Sequence, residues 1–265
     1  MSGSHYPKSL NYECESGSLF VDGHHTTEEI WNYLYSLGVS PTDAVRQIYI
    51  SNIIKSLEHI DFGAFVKLEK VVFGEGIRSI PERMFDRYYA TERNKDLLGN
   101  KQAFSCLKTI ECQKVEEIGR YAFWLNPVKT VIIGNNCRVL PNAFLDCSNL
   151  SKVQLGLNCV LSRYIFSGCP VDRLVVPSGC QVNLNAFTNM PNLKKLRMAD
   201  NVLVNGPVLD KNKFVEVIKY NERGEIVDKV AKVDNQGLYS MFYAYKDGQF
   251  VKNGALPCGE MVSHR

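Results

Sequence analysis

The sequence predicts an α+β, β-rich solenoid: a stack of units about twenty residues long, with a helical cap at the N-terminal end and β-hairpins at the C-terminal end. Phenylalanine recurs at Phe65, Phe85, Phe104, Phe123, Phe144, Phe166 and Phe187, in steps of 20, 19, 19, 21, 22 and 21 residues. A period held near twenty is the mark of a stacked repeat array. Apolar-x-apolar pairs such as Val131/Ile133, Val153/Leu155 and Leu174/Val176 precede the phenylalanines. Their period of two predicts one short strand per unit, over 108–112, 129–133, 151–155 and 172–176, in one parallel sheet. A single unit of this length cannot bury its apolar side, so neighbours must share a core. The phenylalanines then form a spine, and residues at equal repeat positions become neighbours in space.

The elements follow in chain order. In residues 1–43, Thr26-Thr27-Glu28-Glu29 is a capping box, and Ile30, Trp31, Leu34 and Leu37 follow at helical spacing. Gly38 and Pro41 supply the stop, so a helix over 27–37 is expected to cover the open end of the stack. Residues 44–204 hold the repeats, the first of them atypical, with Ile48 and Ile50 on its strand. Between Phe85 and Phe104 the strand pattern is missing, which predicts an insertion of about eighteen residues at about 86–103, with the next strand beginning at Leu107. Residues 205–265 leave the pattern. Their β-rich arms, 214–220 with 225–233 and 238–245 with 249–251, predict two hairpins forming a cap or a small sheet, with Tyr239, Phe242, Tyr243 and Tyr245 as hairpin packing.

The clearest copy of the unit places Leu107, Ile110, Cys112, Val115, Ile118 and Ala122 before Phe123, and others end in Ala143-Phe144-x-x-Cys147 or run from Val171 through Pro177 to Phe187. This pattern resembles the BspA-like subgroup of leucine-rich repeats over roughly residues 45–204. The resemblance implies a curved, right-handed leucine-rich-repeat solenoid that binds partners and is not a catalyst. It also implies that the strand positions pointing away from the core lie on an exposed concave sheet face.

Charge divides the chain unevenly. Residues 1–100 carry ten Lys/Arg against fourteen Asp/Glu, residues 101–200 twelve against six, and the remainder nine against eight. Before the second apolar residue of each strand stand Lys70, Thr109, Thr130, Lys152, Arg173 and Lys195; after it stand Val72, Glu111, Ile132, Gln154, Val175 and Arg197. On the implied concave face these columns make a basic ladder beside apolar Ile132 and Val175, suited to an acidic protein surface, although Lys and Arg also simply solubilise a sheet. The insertion carries Arg87, Tyr88, Tyr89 and Arg93, residue types enriched at interface anchors, or it is a tolerated loop.

Chemistry is sparse. There is no phosphate-cradling glycine loop, nucleophile elbow or H-E-x-x-H, so no enzyme and no cofactor are expected. His24-His25 beside Asp22, Glu28 and Glu29 reads as helix capping before metal binding. Nine cysteines, six of them in two registered columns (Cys137, Cys159, Cys180 and Cys106, Cys147, Cys169), read as buried reduced thiols ahead of disulfides or metal ligands. With no leader and no membrane-spanning run, a cytoplasmic protein is expected, or an exported one if a leader was removed. The expected function is a non-enzymatic protein-interaction module, an inhibitor or adaptor. Nucleic acid contact through the basic middle repeats ranks next, for lack of interleaved aromatics, and a surface adhesin third.

Overall fold

The computed structural model describes residues 9–52, 57–206, 208, 209, 212 and 215–229, together with the backbone of 230, 243–246 and 249–252. An antiparallel pair, β1 (Ser9–Glu13) and β2 (Ser18–Asp22), opens the chain. Helix α1 (Thr27–Ser36) follows. Thr26 accepts from the Glu29 N–H and Glu29 accepts from the Thr26 N–H, which satisfies two donors that a helix start leaves open. Its Ile30 and Leu34 are buried. The one-turn α2 (Pro41–Ala44) leads into β3 (Gln47–Ser51).

From there each rung supplies a front strand and then a short back strand. The pairs are β4 (Lys70–Phe73) with β5 (Ser79–Ile80), β6 (Thr109–Cys112) with β7 (Glu117–Ile118), and β8 (Thr130–Ile133) with β9 (Arg138–Val139). Then come β10 (Lys152–Gln154) with β11 (Val160–Leu161), β12 (Arg173–Val176) with β13 (Gln181–Asn183), and β14 (Lys195–Ala199) with β15 (Leu203–Asn205). Two short helices, α3 (Arg87–Arg93) and α4 (Lys95–Leu98), occupy the insertion between β5 and β6. β16 (Glu216–Tyr220) and β17 (Ile226–Val230) form one antiparallel hairpin, and β18 (Tyr243–Lys246) and β19 (Gln249–Lys252) another. The side chains of Tyr239, Phe242, Tyr243 and Tyr245 lie outside the described residues.

The back strands form one parallel sheet, β15-β13-β11-β9-β7-β5. The front does not form the single sheet expected. It is one block from β1 to β10, in the order β1-β2-β3-β4-β6-β8-β10, and a second, β12-β14-β16-β17. The end of β12 lacks one bond that joins some of the other rungs. There Pro177 stands in the repeat position where the Gly74 and Gly134 N–H groups donate to the Ile50 and Cys112 carbonyls, 2.7 and 3.1 Å away, and proline has no N–H. Beside the break Val153 is only half-buried, whereas Val131 and Leu174, at the same position of neighbouring rungs, are buried. The second block also runs past the phenylalanine pattern, because β16 pairs in parallel with β14 before turning into β17.

The spine is a run of ring contacts: Phe62 to Phe85 at 4.8 Å, Phe85 to Phe123 at 5.1 Å, Phe123 to Phe144 at 4.8 Å and Phe144 to Phe166 at 5.5 Å. Phe187 is buried beyond it. Two members differ from the expected spacing. The 3-10 turn Phe62–Ala64, capped by Asp61, brings Phe62 rather than Phe65 against Phe85. Phe104, at the end of the insertion, lies tilted beside Phe85 at 5.4 Å while Phe85 and Phe123 stack past it.

A polar column runs alongside the spine. Asn126 Nδ2 donates to the Phe85 carbonyl, the Cys147 and Cys169 thiols lie 3.0 Å from the Phe123 and Phe144 carbonyls, and Asn212 Nδ2 donates to Phe187. The Phe123 and Phe144 carbonyls already take the Asn126 and Cys147 N–H groups, so the thiols add a second donor there, while Asn126 and Asn212 serve the Phe85 and Phe187 carbonyls. Cys147 and Cys169 thus stand where Asn126 stands one rung earlier, each as a donor to the preceding rung, whereas Cys106 is half-buried.

Candidate functional site

The turn before each spine phenylalanine sets the direction of its side chains. Arg83, Tyr121, Asn142, Tyr164 and Asn185, each two residues before a phenylalanine, all have left-handed backbones with φ between 53° and 61°. Rung-to-rung bonds such as Arg83 N to Arg120 O and Tyr164 N to Asn185 O hold this column. Left-handed non-glycine residues cost free energy singly, so the stacking must hold them in place.

Around Arg83 this column meets the insertion. The α3 N-cap, Asp86, is fully buried; it accepts from the Tyr89 N–H at 3.1 Å and from Arg83 Nη1 at 2.9 Å. Burial pushes its carboxyl up, against the pull of these bonds. The Arg83 guanidinium lies 4.8 Å from the ring centres of Tyr89 and Tyr121 and 5.7 Å from Trp124. Tyr88 contacts both Tyr89 and Trp124, and Tyr121 contacts Trp124. Three aromatic rings therefore surround one paired arginine and Tyr88 packs on two of them, a cation–π cluster of the kind that anchors interfaces. Tyr88 and Tyr89 remain about half exposed, at 56% and 49%.

Of the insertion residues expected at a binding surface, Tyr88 and Tyr89 are thus outward. Arg93 is exposed and pairs with Asp61 at 3.6 Å. Arg87 is half-buried, and its Nε and the Trp124 Nε1 are buried without hydrogen-bond acceptors. Burial lowers the Arg87 guanidinium from its ordinary value.

The front columns form in register: Lys70, Thr109, Thr130 and Lys152 in one block, Arg173, Lys195 and Glu216 in the other. Val72, Glu111, Ile132 and Gln154 align beside the first set, Val175, Arg197 and Ile218 beside the second. The ladder is less basic than its lysines suggest. Lys70 bonds Glu111 at 2.7 Å, which raises its pKa, and Lys195 lies 3.3 Å from Glu216. Glu216 also holds Lys229 at 2.7 Å, and the two lysines, Lys229 foremost, keep its carboxyl low. Arg197 lies over the Tyr220 ring at 5.1 Å. That leaves Lys152, exposed with no ion pair among the described residues, and Arg173, 78% exposed and 3.8 Å from Asp172, itself 55% exposed. Val175 beside them is 45% exposed, and Ile132 is half-buried. At the other end of the face Phe20 and Tyr49 stack at 4.8 Å.

The thiol columns are internal except at half-buried Cys106. Cys159 Sγ lies 3.2 and 3.3 Å from the Gly134 and Gly156 carbonyls, and the eight described cysteines form no disulfide. Burial lifts Cys137 to about 12, and the bond to Cys159 together with burial lifts Cys180. His25 Nδ1 lies 3.6 Å from Glu29, and the His24 ring meets His59 edge-on at 4.8 Å. Among the described residues no three His, Cys, Asp or Glu side chains gather as metal ligands, and no helix is long and apolar enough to cross a membrane.

Sequence comparison agrees with the rung geometry. Residues 98–202 match the BspA type leucine rich repeat region in six copies. This segment is a BspA-type leucine-rich repeat region. No curated protein matches the chain. Two solved structures show limited similarity. One is a leucine-rich repeat protein from Bacteroides ovatus, 12% identical, covering 80% of this chain and 69% of its own, with a TM-score of 0.33. The other is a leucine rich cell surface protein from Faecalibacterium prausnitzii, 12% identical over 79% and 73%, with a TM-score of 0.26. The assignment of the BspA-type region therefore rests on its six sequence copies and on the stacked rungs. Such repeats generally serve as protein-interaction or surface-protein modules.

Three residues of the cluster, Arg83, Tyr121 and Trp124, were not among the expected site residues. They sit on template positions, not in the insertion, and only the register across the insertion brings them against Tyr88 and Tyr89.

Proposed function

We propose that this protein is a non-catalytic protein-binding module, an inhibitor or adaptor, that engages an acidic protein surface through its front sheet and its insertion. The observation that carries this is the outward pair Lys152 and Arg173 on successive rungs, flanked by Ile132 and by exposed Val175. An exposed cation beside an exposed apolar side chain suits a partner presenting carboxylates around an apolar contact. Lys70, Lys195 and Arg197 lie on the same columns and act as rim groups, since each already has a partner within the fold. That internal pairing also counts against nucleic acid, whose phosphates attract through uncompensated positive charge.

The test is capture of partners with the full chain from the native cell, followed by association kinetics. Charge reversal at Lys152 and Arg173 is expected to slow association about tenfold and to flatten its salt dependence, because exposed charges act through long-range steering. Unchanged rates and an unchanged salt slope would exclude the front face. We place the work of this protein in a reducing compartment, the cytoplasm, because the Cys147, Cys159 and Cys169 thiols are buried against main-chain carbonyls. Freshly purified, denatured protein is expected to titrate all nine cysteines as free thiols and to carry no zinc. Two or more disulfides would overturn that placement.

A further inference from the structure

The outer edge of the spine turns carries positive charge that the fold leaves unanswered. Three residues before the spine phenylalanines stand Glu82, Arg120, Pro141, Arg163 and Leu184. Main-chain bonds from Arg83 N to Arg120 O and from Asn142 N to Arg163 O, 3.1 and 3.2 Å long, keep this column in register from rung to rung. Glu82 turns to Arg83, 3.7 Å away. Arg120 and Arg163 are exposed and have no ion pair among the described residues, with half-buried Pro141 between them in the column and exposed Leu184 beyond. Each arginine precedes a half-buried tyrosine, Tyr121 or Tyr164. At Tyr121 the edge runs into the insertion, because the Arg83 guanidinium lies between Tyr121 and Tyr89, and Tyr88 and Tyr89 stand half exposed. All of these side chains keep surface in water, so a partner reaches them without opening the core.

Cations alternating with apolar groups beside tyrosine rings fit a partner whose carboxylates alternate with apolar side chains. Spacing narrows its form. Neighbouring rungs lie about 4.8 Å apart, so Arg120 and Arg163, two rungs apart, stand about 10 Å apart along the edge. A polyproline II chain brings residues i and i+3 to one side about 9 Å apart, whereas a β-strand returns to the same side after about 7 Å and an α-helix after about 5.4 Å. Aromatic-lined surfaces are also what such chains dock on.

We propose that this edge, from Tyr88 and Tyr89 along Arg120 to Arg163, docks an acidic segment of a partner protein in polyproline II form. Asp or Glu at positions i and i+3 meet the two arginines, and proline or aliphatic residues beside them pack on Pro141 and the tyrosines. The proposal rests on the reading of the insertion as a binding element and extends it along the turn edge, but it needs nothing from the front columns.

A displayed library of random dodecapeptides, selected on the full chain, tests it. Enriched sequences are expected to share two acidic residues three positions apart, with proline or an aliphatic residue between them. Their affinity should fall at least tenfold in Arg120→Gln/Arg163→Gln and in Tyr88→Ala/Tyr89→Ala, and stay unchanged in Lys152→Glu/Arg173→Glu. Because the two arginines are exposed and unpaired, their variant should keep the wild-type melting temperature. No enrichment, acidic pairs at the spacing of a strand or a helix, or binding indifferent to either the arginine or the tyrosine variant would overturn the proposal. Loss with the tyrosines alone would overturn it while leaving the insertion reading intact, and loss only in the Lys152/Arg173 variant would overturn it while leaving the front-face reading intact. A labelled oligothymidylate that binds more tightly than the peptides and is lost in the arginine variant would overturn it in favour of nucleic acid.

Discussion

The regular rungs from Leu107 to Ala199 and the corner built by the insertion handle the same problem, unsatisfied polar groups close to the core, in opposite ways. In the rungs the buried carbonyls of Phe85, Phe123 and Phe144 each receive a side-chain donor from the next rung, Asn126, Cys147 and Cys169, the last two in addition to a main-chain N–H. Thr188 is the buried side chain there without a partner. At the insertion, Arg87 and Trp124 are left with buried open donors while Tyr88 and Tyr89 stand in solvent. A repeated template removes local conflicts because every rung inherits the same solution. An insertion escapes that constraint, and its Arg87 keeps a conflict that no template position imposes.

The largest effect separating the two regions is expected on the spine. Phe144 is fully buried between Phe123 and Phe166, so Phe144→Ala should destabilise by about 3–5 kcal/mol, as large aromatic truncations in cores do. Tyr88→Ala, on the exposed side of the insertion, should stay within about 0.5 kcal/mol. Denaturant unfolding of the two variants reads both numbers. Equal stabilities would dissolve the distinction between packed template and functional surface.

Next come the polar columns. Asn126→Ala leaves the Phe85 carbonyl and the Val128 N–H buried and unpaired, which should cost about 2–4 kcal/mol. Cys147→Ala removes a weaker S–H donor to the Phe123 carbonyl and should cost about 1–2 kcal/mol. The ordering is what matters. If Cys147→Ala cost as much as Asn126→Ala, the thiol column would owe its place to packing volume and not to the carbonyl it covers.

The repeat array was legible because period and burial coincide at Phe85, Phe123, Phe144 and Phe166. Phe104 also keeps the spacing, yet it belongs to the end of the insertion; a ring at the right interval carries no information about the turn that delivers it. Phe62 went unnoticed for the opposite reason: a 3-10 turn, not the template turn, brings it to Phe85. The rung at Glu216–Tyr220 was hidden because Val215 and Val217 keep the strand period after the phenylalanines have stopped. Pairing between columns was least visible of all. Glu111 could be placed diagonally from Lys70, and Glu216 opposite Lys195, only once register was known, and that register halves the basic ladder read from sequence. The aromatic cluster would have emerged by removing the insertion and aligning Phe85 on Phe123, which sets Arg83 against Tyr121 and Arg87 near Trp124.

The smallest expected effect tests how far internal pairing, as opposed to binding, accounts for the front columns. Lys70 bonds Glu111 at 2.7 Å across adjacent strands, and this bond, ahead of opposing burial, raises the lysine's pKa. Both side chains keep part of their surface in water, 30% and 20%, so the pair is screened and Lys70→Met should cost less than about 1 kcal/mol. The sign of the pH dependence follows from the raised value: the contribution is complete below the ordinary lysine value of 10.5 and is lost as pH rises through the higher folded value. Stability measured from pH 8 upward should therefore bring wild type and Lys70→Met together at the alkaline end, and added salt should narrow their gap at pH 8. A double-mutant cycle with Glu111→Gln isolates the pair. A coupling that survives unchanged at high pH and high salt would mean that Lys70 acts through its apolar stem against Tyr49, 6.0 Å from the ammonium, and that the front columns are held by packing where the ion pair is now invoked.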